Sequence, residues 1–167
     1  DDYVATFSVD RVNFVRRDEE LSTELGIAVS TEDDVEVRRV TIRNYGPRTR
    51  ELDVTSYAEI VLGSPASDFA HPAFAKLFIE TEYLPGSTAL LCHRRPRDPG
   101  EPAAWAFHAL SQEGRPQGPV EWETDRARFL GRGRSIREPI SIEERRPLSN
   151  TAGTVLDPVF SLRRRLV

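Results

Sequence analysis

The chain has 167 residues, 38% hydrophobic and 30% charged, with a net charge of −4. That length suits one domain with a buried core. No apolar run approaches the roughly 20 residues a membrane-crossing helix needs, and a lone cysteine, Cys92, excludes an internal disulfide and fits a reducing compartment. Residues 1–83 carry 17 acidic and 9 basic side chains, against 10 and 14 in residues 84–167. The basic half is therefore suited to an anionic partner, to the acidic half, or to another domain. The sequence starts on Asp1-Asp2, contains no methionine, and stops in the strand-like "SLRRRLV". It is expected to be a single domain, 1–167, excised from a longer multidomain chain.

Period-two patterns dominate from the start. "YVATFSVDRVNFV" alternates as a strand. "ELSTELGIAVS" puts Leu21, Leu25, Ile27 and Val29 on one face, with Gly26 marking a bulge or a close approach. "VEVRRVTIRN" shifts parity across Arg38-Arg39, which predicts a bulge, and "NYGPRTR" predicts a turn. "ELDVTSYAEIVL" reads as one strand, with Leu52, Val54, Ala58, Ile60 and Leu62 in phase and Thr55, Tyr57 and Val61 on the other face, so both sides are expected to be covered. Residues 63–72, "GSPASDFAHP", read as a loop. "FAKLFIETEYL", "TALLCHRR", "AAWAFHAL" and "PVEWETDRARFLG" read as strands, separated by the turns "PGS", "PRDPGEP" and "SQEGRPQG". Residues 131–157 are polar and irregular before "DPVFSLRRR" closes the chain as strand.

Eight or nine strands without a convincing helix predict an all-β, antiparallel β-sandwich. Its expected core is Leu52, Val54, Ile60, Phe78, Leu90, Trp105 and Phe160.

The chemistry-bearing residues form no catalytic pattern. Glu80/Glu82 and Glu121/Glu123 are i, i+2 pairs on one strand face, roughly 7 Å apart. Glycosidase carboxylates are about 5 to 9 Å apart but bracket the bond from two sides, so solvent-face glutamates are the favoured reading. Cys92 and His93 are neighbours on a strand and point to opposite faces, and with His71 they give no zinc spacing. "GRGR" lacks the lysine and helix of a phosphate loop. Ser64, Ser67, Ser149 and Thr151 lack an evident base. Residues 126–167 hold ten arginines and four acids, but Phe129 is the only aromatic within the arginine cluster, a poor platform for nucleic acid.

Five separated blocks carry a resemblance: "EDDVEVRRVTIRN", "RELDVTSYAEIVL", "HPAFAKLFIETEY", "ETDRARFLGRGR" and "PLSNTAGTVLDPVFSLRRR". In this order they resemble the phosphorylase-like region of cyclic β-1,2-glucan synthases. These are members of glycoside hydrolase family 94, formerly glycosyltransferase family 36, together with cellobiose and chitobiose phosphorylases. The resemblance implies part or most of a β-supersandwich of galactose-mutarotase-like kind. It also implies a catalytic aspartate and phosphate-binding residues on an (α/α)6 barrel that no stretch of this sequence matches. It therefore implies a non-catalytic domain that packs on that barrel and helps shape its sugar site.

On this reading the sugar-facing or interdomain candidates are Arg126, Arg128, Arg132, Arg134 and Trp122. An interdomain contact is favoured for the arginines, which suit carboxylates across an interface as well as sugar hydroxyls. Core packing is favoured for Trp105 and Trp122. The expected partners are the barrel and a β-glucan oligosaccharide, with a second copy of the chain as a further candidate and no nucleic acid. No cofactor or metal is expected, and inorganic phosphate enters as a substrate of the parent enzyme. The resemblance implies a cytoplasmic location, or the cytoplasmic side of the inner membrane through the parent chain. The alternatives are a free-standing carbohydrate-binding module and a structural or dimerisation domain. The segment "ETDRARFLGRGRSIRE" is expected to be an extended loop leaving a strand near Phe129, anchored by Phe129 and Leu130.

Overall fold

The structure is a computed structural model that describes residues 2–96, 98–113 and 117–167. The turns expected over 96–102 and 111–118 fall partly outside the described residues. The chain forms two compact units, Asp1–Glu51 with Val167, and Leu52–Leu166.

The first unit is a four-stranded antiparallel meander of β1 (Asp2–Phe7), β2 (Val12–Asp18), β3 (Leu21–Val29) and β4 (Glu36–Asn44). The single strand expected over 3–15 is in fact a hairpin that turns through Ser8–Arg11, where the Ser8 N–H donates to the Arg11 carbonyl over 2.9 Å. The bulge expected at Arg38-Arg39 is also corrected, because β3 and β4 pair without a register break. The close approach expected at Gly26 is present: a β-carbon there would lie 3.0 Å from Oδ1 of Asn13, its partner across the strand. Phe14, Leu25 and Val40 are cross-strand neighbours, so they share one face of this sheet.

The second unit holds two more sheets. One has the order β10 (Gln117–Asp125), β12 (Pro158–Leu166), β5 (Leu52–Thr55), with β6 (Ala58–Glu59) also on β12. The other has the order β11 (Gly153–Thr154), β7 (Ile79–Leu84), β8 (Ala89–Arg94), β9 (Ala104–Ala109). Ile79, Leu90 and Cys92 from the second sheet meet Val120, Phe160 and Leu162 from the first, with Ile60, in one buried cluster. This is the sandwich core, and its antiparallel, strand-dominated build matches the predicted fold class.

Two strand expectations are corrected here. Residues 51–62 break at Ser56, whose N–H donates to the Leu162 carbonyl while its hydroxyl accepts the Leu162 N–H over 3.1 Å. The expected loop over 63–72 and the start of the following strand form α1 (Pro65–Ala70) and α2 (Pro72–Lys76). Both prolines sit in the first helical turn, where a missing N–H costs nothing, and the Ser64 hydroxyl caps α1 by accepting the Ser67 N–H.

Of the expected core, Ile60, Leu90 and Phe160 are buried, while Leu52, Val54 and Phe78 are half-buried. Trp105 is 58% exposed. Its strand, β9, lies at the sheet edge, and the face turned inward carries Ala106, which packs on the core, and His108, which stacks on Phe160. Trp105 points outward and stacks on His93 with ring centroids 4.7 Å apart.

β12 is covered on both sides. Phe160 and Leu162 enter the sandwich core, while Val159, Ser161 and Arg163 face the other way and are also buried. That second face carries the polar residues from which the candidate site is built.

Candidate functional site

The site begins where β10 ends. Oδ1 of Asp125 accepts the Ala127 N–H over 2.9 Å and caps α3 (Arg126–Leu130). The expected extended loop near Phe129 is thereby corrected: the strand stops at Asp125 and one helical turn follows. The cap and the good helix formers Arg, Ala and Leu outweigh the glycines, which come only after the turn. The expected anchors hold. Phe129 and Leu130 are buried with Leu148, and Tyr57 stacks on Phe129 at 4.8 Å.

Gly131 ends the helix at φ 86°, its N–H donating to the Ala127 carbonyl over 3.0 Å. A β-carbon there would sit 3.1 Å from Cβ of Ile140, the first residue of α4 (Ile140–Glu143). Gly131 is thus required both for its positive φ and for the close approach of α4.

Beneath α4 lies Arg163, 6% exposed. Its guanidinium donates to the carbonyls of Ser141 (2.9 Å) and Arg146 (2.7 Å) and to Oγ1 of Thr55 (2.9 Å), and it lies 3.5 Å from Glu121. Oε2 of Glu121 also accepts the Leu148 N–H over 3.0 Å. Glu123, 2% exposed, accepts the N–H groups of Thr124 and Asp125 on one oxygen and that of Ser149 on the other. The solvent-face reading of Glu121/Glu123 is thereby corrected: Glu123 is buried, Glu121 is half-buried, and the pair is a mount for the 146–151 segment. The backbone N–H of Trp122 bonds the Asn150 side chain, and Asn150 N–H bonds the Trp122 carbonyl, so the segment is tied along the strand edge.

These elements enclose a cleft of about 410 Å³, open to solvent and rimmed by Arg128, Arg132 and Arg146, with Glu123, Ser141, Ser149, Ile140 and Leu148 in its lining. Among the five sequence candidates, Arg128 and Arg132 line it. Arg128 makes only long contacts, 3.4 Å to Oγ1 of Thr151 and 3.7 Å to Asp125. Arg132 has no hydrogen-bond or ion-pair partner among the described residues. The other three lie elsewhere. Arg126 bonds Glu59 (3.0 Å) and lies 3.7 Å from Asp157, which also takes Lys76 at 2.6 Å. Arg134 bonds Glu144 (3.2 Å). Arg126 and Arg134 are thus engaged within the chain rather than held free for an interdomain contact. Trp122 packs on the sandwich core with its ring stacked on Tyr83 at 3.7 Å.

Sequence reasoning missed Arg146, Ser141 and Arg163. Strand parity carried a signal for Arg163, since it shares a face with Val159 and Ser161, but an arginine in a run of three reads as solvent-facing.

The charges around Arg126, outside the cleft, are tuned by neighbours. The hydrogen bond from Arg126 holds the Glu59 carboxyl below its ordinary value, and Glu59 in turn raises Arg126. Burial and the adjacent Glu59 push the Tyr57 phenol up to about 12. In the cleft itself, Glu123, the only carboxylate among the described lining residues, has its oxygens committed to backbone donors. The rim is therefore equipped to donate hydrogen bonds and to offset negative charge.

Comparison with known proteins fits this fold. The model of the glycosyl hydrolase 94 supersandwich domain matches residues 1–167. The cyclic beta-(1,2)-glucan synthase NdvB of Rhizobium meliloti (strain 1021) is 38% identical over 161 residues, which is 96% of this chain and 6% of that protein. The chain belongs to the glycosyl hydrolase 94 supersandwich domain family.

Proposed function

We propose that this chain is the non-catalytic supersandwich part of a multidomain, glucan-processing enzyme of the phosphorylase or cyclic β-1,2-glucan synthase type. In that setting it packs on a helical catalytic barrel and helps shape the barrel's sugar site through the arginine-rimmed cleft. One observation carries the reading: Arg132 is exposed on the rim of the cleft, and its guanidinium has no hydrogen-bond or ion-pair partner among the described residues. An exposed guanidinium offers planar, directed donors to a partner surface. The family match and the share of the relative that the chain spans support placing it within a larger enzyme. The chain alone, incubated with cellobiose or β-1,2-linked glucan and phosphate, is expected to release no glucose 1-phosphate. Robust release by pure chain contradicts the proposal.

A second reading, as a sugar-binding module, has its own support in the outward face of β9. Trp105 and Phe107 are 58% and 64% exposed there. Retention on immobilised β-glucan that Trp105→Ala abolishes would favour it.

A further inference from the structure

The cleft has a chemical bias of its own. Its rim offers three guanidinium groups, which donate hydrogen bonds and accept none. Its one carboxylate, Glu123, is buried and already accepts three backbone N–H bonds. A neutral sugar needs acceptors for its hydroxyl protons and gains from an aromatic ring beneath its apolar face. No described residue lining the cleft is aromatic; the apolar part is aliphatic, from Ile140 and Leu148. The hydroxyl of Ser141, a residue only 3% exposed, has no hydrogen-bond partner among the described residues, and Ser141 belongs to the same lining.

The electrostatics run the same way. The lining carries three positive side chains against one negative one, and that one is held by backbone dipoles. Arg146 is partly answered by Glu144 at 2.6 Å, but Arg132 is not answered and Arg128 only at long range. The buried Arg163 beneath the floor is bonded to the Ser141 carbonyl and answered by Glu121 at 3.5 Å, so the bias rests on the rim arginines. A planar guanidinium fork matches the paired oxygens of a carboxylate or a phosphate.

We propose that this cleft binds an oxyanion, gripped by Arg132 and Arg128. Two sources share that chemistry: a carboxylate side chain of a partner domain, and a phosphate group in solution. The inference rests on the reading of the cleft as a contact site but not on the glucan assignment. No bond is made or broken; the ligand is held by charge-assisted hydrogen bonds.

The test is a titration of the 167-residue chain with inorganic phosphate and, separately, with succinate, at constant ionic strength, following the backbone amides of Gly131, Arg132 and Ser149 by NMR. Saturable shifts centred on these amides are expected with at least one of the two anions. Arg132→Ala should weaken binding at least tenfold, while Arg134→Ala, whose guanidinium is paired with Glu144, should change it less than twofold. Saturation by succinate points to the carboxylate source and saturation by phosphate alone to the phosphate source; both uphold the oxyanion. No saturation by either anion, or equal weakening by the two substitutions, overturns the proposal. A β-1,2-glucan oligosaccharide that saturates these amides where neither anion does also overturns it, while leaving the proposed function intact. Anion binding together with normal product formation by Arg132→Ala in the full-length chain does the reverse.

Discussion

The guanidinium of Arg163 donates to the carbonyl oxygen of Ser141 over 2.9 Å, and both residues are buried. This bond joins β12 to α4 and so fixes one wall of the cleft to the sandwich. Arg163→Met removes the donor from two carbonyls and leaves Glu121 without its cation, so it is expected to destabilise the fold by about 3–5 kcal/mol. Arg163→Lys keeps the charge but cannot serve three acceptors in a planar fork, and should fall between the two. Urea unfolding followed by tryptophan fluorescence measures both. A loss below about 1 kcal/mol in Arg163→Met would contradict the anchoring role.

The two glycines of "GRGR" separate two causes of strain. Gly133 has φ 70° and nothing within 4 Å of a β-carbon, whereas Gly131 has φ 86° and Ile140 at 3.1 Å. Gly133→Ala should cost only the backbone term, about 1–2 kcal/mol. Gly131→Ala adds overpacking against α4 and should cost about 1 kcal/mol more. Equal losses would show that Ile140 yields freely.

Hydrophobic residues of the second unit should divide by face. Leu162 is fully buried between the sheets, so Leu162→Ala should cost about 2–5 kcal/mol. Trp105 loses only its stack on His93 and some partial burial, so Trp105→Ala should cost about 1 kcal/mol or less. A large loss at Trp105 would place that ring in a core.

This contrast shows where the sequence was informative. Alternation located most strands and paired Trp105 with Phe107 on one face, but alternation alone does not say which face is buried. On β9 the smaller Ala106 and the polar His108 face inward because Cys92 and Phe160 leave them the room. The helices of 65–76 were hidden because Pro65 and Pro72 read as loop punctuation, although proline is well tolerated at a helix start. In the candidate site, the arginine cluster was legible, yet which arginines are engaged was not. Arg126 finds Glu59 from 67 residues away, a partner that no local pattern announces.

Alkaline pH should erode stability in a defined window. Burial pushes the Cys92 thiol from 9.0 to about 11, and burial with Glu59 pushes Tyr57 from 10.0 to about 12. Both folded-state values are raised, so each contribution is fully present below the unfolded value and lost as pH rises through the folded one. Stability from these two groups should hold up to about pH 9 and decline between about 9 and 12. Cys92→Ala should remove the lower part of the decline. Below pH 9 the thiol should react with a disulfide reagent only as fast as the fold opens. Immediate labelling of the native chain would contradict its burial.

The proposed role of Arg132 is tested most directly by product formation in the full-length chain carrying Arg132→Ala, with Arg134→Ala as the paired control. The substitution removes an exposed side chain that has no partner among the described residues, so the domain should stay folded, its unfolding free energy changed by no more than about 0.5 kcal/mol. Product formation, or retention of the barrel by the sandwich domain, is expected to fall at least tenfold in Arg132→Ala and to stay within twofold in Arg134→Ala. Wild-type activity and wild-type docking in Arg132→Ala would contradict the central claim.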